Sequence, residues 1–245
     1  MVLKLVPKNK FALEKLSKDC LSLDRFEEAI KYQRQLIKLS TPAEVITRQQ
    51  ELANLELVKA QKESGSDKDA LKDALKSVLK RHKNYPPALN AVAAIAAETG
   101  NTKEADKSWN KAFAQSGTVS YLADMAKMWI AEGDQDKAVA NVTSAVSDFK
   151  GDETKKSLSK LFLVKLLLHL GHTDKAKEAF AEVEAIDDDA LDKTKSIIRA
   201  KFLEKEGDLD SAFGELVSLF DSEQIQGNIP SLANSAKATE QQTAA

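Results

Sequence analysis

The chain has 245 residues, among them nine glycines and five prolines, and 6% of its residues are aromatic. Ala, Leu, Lys, Glu and Asp dominate, which favours helices and excludes sandwiches and barrels, whose frequent turns and β-branched, aromatic strands are missing. A formal net charge of −2, with 31 lysines and five arginines, excludes a strong nucleic-acid field.

The charge is nonetheless uneven. Residues 1–85 carry 18 Lys+Arg and 12 Asp+Glu while the remainder carries 18 and 26, so a basic end precedes an acidic one. The single cysteine, Cys20, allows neither an internal disulfide nor a multi-cysteine metal site and fits a reducing compartment. Residues 1–7 are too short for a secretory apolar region. The longest apolar tract, Leu158 to Leu170, falls short of the roughly 20 residues that span a bilayer. A cytoplasmic chain with no transmembrane segment is expected.

In chain order the pattern predicts twelve helices in six pairs, framed by a short N-terminal extension, 1–7, and a disordered tail, 222–245. Helices 9–21 and 26–39 meet at Asp24, and helices 43–63 and 67–82 meet at Gly65. Helices 87–98 and 102–115 meet at Gly100, and 118–131 and 135–149 at Gly133. The last two pairs, 153–169 with 173–185 and 190–206 with 210–221, meet at Gly171 and Gly207. Each turn opens the frame Gly-x-x-x-x-Ala, with Asp24 in place of glycine in the first. The six turns are spaced by 41, 35, 33, 38 and 36 residues. A left-handed glycine ends one helix and polar residues cap the next. The alanine five residues on (Ala29, Ala70, Ala105, Ala138, Ala176, Ala212) is expected to let paired helices approach closely, with Ala93, Ala126 and Ala200 opposite. The tract from Leu158 to Leu170 is apolar around most of its circumference and is expected to be buried.

At these residues the chain resembles the tetratricopeptide repeat (TPR) superfamily. Gly100, Ala105, Trp109 and Ala112 match its pattern best, followed by Gly133, Ala138 and Ala145, and then by Gly171, Ala176 and Phe180. The resemblance implies an all-α fold, a right-handed α-solenoid of about six TPR-like helix-turn-helix repeats running as one continuous domain over 8–221. It also implies a noncatalytic adaptor that binds a protein segment on a concave surface.

Catalytic and cofactor signals are sparse. No glycine-rich phosphate loop occurs, and His169 and His172 straddle a turn glycine rather than share a helix face. Asp187-Asp188-Asp189 reads as a helix cap, Cys20 as a small core residue, and Asn141-Val142-Thr143 as a sequon inside a helix. Neither an enzyme nor a cofactor is expected. One row stands out six positions before each turn, on the face that the resemblance makes concave: Lys18, Lys59, Ala94, Lys127, Lys165 and Lys201. Five lysines in six positions predict a partner-binding ladder for an acidic protein or peptide. One helical turn earlier stand Glu14, Leu55, Asn90, Ala123, Leu161 and Ile197, whose single amide argues against a dedicated carboxylate clamp. The alternative is self-association of the basic N-terminal part with the acidic C-terminal part; RNA association is weaker still, because arginine is scarce.

Overall fold

The computed structural model describes residues 8–219. The expected N-terminal extension, residues 1–7, and the expected disordered tail, 222–245, lie outside the described residues. Among the described residues there are twelve helices and no strand: α1 (Lys10–Ser22), α2 (Phe26–Leu39), α3 (Pro42–Ser64), α4 (Lys68–Arg81), α5 (Pro86–Glu98), α6 (Thr102–Ser116), α7 (Val119–Ala131), α8 (Gln135–Asp148), α9 (Glu153–His169), α10 (Thr173–Glu184), α11 (Asp189–Glu206) and α12 (Leu209–Ser218). The helices form an all-α helical repeat. The chain divides into two compact units between Lys156 and Ser157, inside α9.

The turns explain why the pairs form. Gly100 has φ +74°, and Asp24 adopts the same left-handed region at φ +55°. At both, the left-handed residue and its successor reach back to the last carbonyls of the preceding helix. Gly100 N donates to Ala97 O (3.1 Å) and Asn101 N to Ala96 O (2.8 Å), while Asp24 N donates to Leu21 O (3.1 Å) and Arg25 N to Cys20 O (2.8 Å). The following helix then places the frame's alanine at its fourth position, where Ala29, Ala105, Ala138, Ala176 and Ala212 are buried.

Ala70 departs from this expectation, because it is exposed. The second turn is one residue longer: Asp67 caps α4 by accepting from Asp69 N and Ala70 N, so Ala70 stands at the third helical position. The fourth position falls to Leu71, which packs against the core.

In the first unit α3 belongs to two successive cores. Leu52 and Leu55 close a cluster with Cys20, Ala29 and Ile30, and Leu57 and Ala60 open the next with Leu75, Val78, Ala88, Val92 and Ile95. Each helix pair therefore buries its apolar surface against its sequence neighbours, as stacked repeats do. Polar links continue the stacking: Trp109 Nε1 donates to Asn90 Oδ1 (2.8 Å), and Asp106 accepts from both Trp129 Nε1 (2.9 Å) and Asn141 Nδ2 (2.8 Å). Phe149 closes the unit against Phe113, with ring centroids 4.7 Å apart. A Cβ on Gly151 would stand 2.2 Å from the Phe149 ring, so that close approach requires glycine.

In the second unit the apolar tract is buried as expected, with Leu161, Leu163, Val164, Leu166, Leu167 and Leu168 enclosed. Phe180 of α10 meets Phe202 of α11 at 5.6 Å between centroids. Asp188 caps α11 by accepting from Ala190 N, which is the reading made of the aspartate run. In α12 only Ala212 is buried, and Leu209 and Phe213 stay exposed. No helix among the described residues is long and apolar enough to cross a membrane.

Candidate functional site: first-helix face and basic edge groove

The five row lysines divide into three with carboxylate partners and two without among the described residues. In the first unit each is met by a carboxylate: Lys18 pairs with Glu14 (2.9 Å) and Lys127 with Asp124 (3.4 Å). Lys59 is bonded to Glu27 and lies 3.7 Å from Glu63. The hydrogen bond that Lys59 donates to Glu27, outweighing partial burial, holds its ammonium above its ordinary range. In the second unit Lys165 and Lys201 make no ion pair among the described residues. Lys165 is half-buried, and its pKa is lowered by that burial and by the positive charge of Lys201.

The first helices α1 and α3 line a shared depression of about 160 Å³ that includes Lys18. Arg48 spans it, bonding Glu14 (2.9 Å) and Glu51 (2.9 Å), while buried Gln33 donates to Glu51 (2.8 Å) and to Arg48 O (3.0 Å). Hydrogen bonds from Lys18 and Arg48 hold the Glu14 carboxyl below its ordinary range. Two cations meet two carboxylates here, so this depression is charge-balanced. The one amide of the neighbouring row, Asn90, is engaged by Trp109, and Leu55 and Leu161 are buried.

A different basic site was not evident in the sequence. At the end of the pairs opposite the glycine turns, where second helices stop and the next first helices begin, a groove of about 1010 Å³ opens in the first unit. Arg34 and Lys38 come from α2, Arg81 from α4, His82 and Lys83 from the loop before α5, and Lys155 from the first turn of α9. Ile37, Ile46, Tyr85 and Pro86 supply apolar wall, and Gln49, Gln50 and Gln115 supply amides.

Glu56 organises this cluster from α3. It is 4% exposed, and accepts from Arg34 Nη2 (3.0 Å) and Arg81 Nε (2.6 Å), with His82 Nε2 at 3.1 Å. Burial works to raise its pKa, but the bonds and charges of Arg81, His82 and Arg34 outweigh it and leave the carboxyl below its ordinary value of 4.5. His82, which looks isolated in the sequence, is therefore part of a buried-carboxylate cluster. The signal was weak because its partners lie 22 and more residues apart in sequence and meet only through stacking.

Residues 15–41 match the tetratricopeptide repeat family model. The matched model is of the family that the turn frame resembles, and the matched stretch falls on the α1–α2 pair with Asp24 in its turn. A tetratricopeptide repeat protein from Parabacteroides merdae is a structural neighbour at 15% identity, covering 86% of this chain and 78% of its own, with a TM-score of 0.40. No curated protein sequence matches the chain. Tetratricopeptide repeats generally mediate protein–protein interaction and are generally noncatalytic.

Proposed function

We propose that this TPR chain is a noncatalytic cytoplasmic adaptor that holds a segment of a partner protein on the face formed by the first helices of its pairs. The observation that carries this reading is the repeat match at residues 15–41, because the family's general role is protein interaction. The row Lys18, Lys59, Lys127, Lys165 and Lys201 is the proposed contact, and an acidic segment is the proposed ligand. Lys165 and Lys201 favour that ligand most. Each lacks a carboxylate partner among the described residues, and an incoming anion offsets the burial of Lys165 and the neighbouring charge of Lys201, which together lower the Lys165 pKa.

Pull-down of the full chain followed by cross-linking mass spectrometry tests the reading. Cross-links from partner carboxylates to the row lysines are expected, and Lys165→Glu with Lys201→Glu should weaken capture while helical circular dichroism is kept. Recovery of no partner, or capture indifferent to both substitutions, counts against it. Self-association, the competing reading, predicts a mass that rises as salt falls; a salt-independent monomer in light scattering removes it.

A further inference from the structure

We propose that the edge groove of the first unit is a second docking site, one that takes an acidic segment of a partner protein in which carboxylates alternate with apolar side chains. None of the row lysines lines it. The site is therefore distinct in its residues from the first-helix face, although its occupant shares the adaptor reading.

Charge complementarity selects the occupant. Arg34, Lys38, Arg81, Lys83 and Lys155 line the groove, and no Asp or Glu does. The carboxylates that partner these cations are Glu56, beneath Arg34 and Arg81, and Asp152, 3.3 Å from Lys155. Lys38 and Lys83 are exposed and make no ion pair among the described residues. Five cations thus face two carboxylates, in contrast to the balanced depression on the first-helix face.

The guanidinium groups are also held in place. Buried Glu56 engages one nitrogen of Arg34 and one of Arg81, yet the two arginine side chains remain 57% and 49% exposed. The planar fork of each arginine keeps further N–H donors for a second carboxylate, and anchoring by Glu56 reduces the ordering cost of binding. Ile46, 66% exposed, stands among these cations on α3 and offers the contact that an apolar side chain between two carboxylates requires. A nucleic acid fits less well. It would need exposed stacking faces, and the two aromatic rings in the lining, Tyr85 and His82, are half-buried, with His82 turned to Glu56. The groove's volume of about 1010 Å³ and its lining drawn from α2, α3, α4 and α9 suit a peptide of several residues.

The test is fluorescence anisotropy on the full chain with a labelled peptide alternating Glu with Leu or Phe, alongside the same peptide carrying Gln for Glu and a single-stranded RNA of matched charge. The acidic peptide should bind, weaken as salt is raised, and lose at least about tenfold in affinity in the Lys38→Glu, Lys83→Glu double variant. That variant breaks no ion pair among the described residues, and unchanged circular dichroism checks the fold. Ile46→Ser should also weaken the peptide, whereas Lys165→Glu should not. Absence of binding, indifference to the double variant, or tighter binding of the RNA overturns the proposal. Loss of peptide binding in Lys165→Glu with the groove variants unaffected moves the acidic ligand to the lysine row, which leaves the adaptor reading standing and removes this one.

Discussion

The turn position shows how one residue sets a local conformation. Gly133 sits at φ +79° with open space where a Cβ would be, so Gly133→Ala meets only the backbone cost of the left-handed region. It should lower stability by about 1 kcal/mol. The equivalent Asp24 already bears that strain at φ +55°, and its ion pair with Lys62 is long (3.9 Å) and exposed. Asp24→Gly should therefore stabilise by about 0.5 kcal/mol, the relief exceeding the added freedom of the unfolded chain. Denaturant titrations of both variants should show opposite signs. Glu56 acts at the same scale but through charge. Glu56→Gln leaves two guanidinium groups without their buried counter-charge and should cost about 2 kcal/mol at neutral pH. Because the folded carboxyl lies below 4.5, its contribution is present above that value and lost as pH falls through the lowered folded one. The stability gap between the chain and Glu56→Gln should thus close in acid; a gap unchanged in acid would show that the charge is not what stabilises.

Helix pairing depends on which residue reaches the fourth position after the turn. Ala138 is fully buried there, and Ala138→Leu should overpack the α7–α8 contact and cost about 1–3 kcal/mol. Ala70→Leu, made in the same sequence frame, should stay within about 0.5 kcal/mol, because the longer second turn leaves Ala70 exposed. Thermal melts of the two variants separate the frame from the register. Helix starts and stops were legible without tertiary information, since Pro42 and Pro86 open α3 and α5 and Asn101, Asp134 and Asp208 cap α6, α8 and α12. The shifted register of α4 was not, because a Gly-x-x-x-x-Ala match does not reveal that Asp67 rather than Ser66 takes the cap.

At the scale of the molecule, stability built from neighbouring pairs is graded along the chain. Among the described residues the last helix, α12, buries Ala212 alone, whereas α5 buries six residues. Native-state hydrogen exchange should show α12 exchanging at least about tenfold faster than α5, and uniform protection across the two would contradict stacking as the source of stability. The sequence by itself determined the all-α class, the pairing of helices and the six hinges, because the glycine frame and the apolar periodicity act over a few residues. It also exposed the lysine row, whose members share one position in each repeat. Only the tertiary structure decided that Glu27 of α2 meets Lys59 of α3 while Lys165 and Lys201 make no ion pair among the described residues. It alone brought Arg34, Arg81 and His82 together over buried Glu56 to line one basic groove. The physical reason is that a helical turn repeats within a few residues, whereas charges from different pairs meet only after stacking fixes the rotation of each helix about its axis.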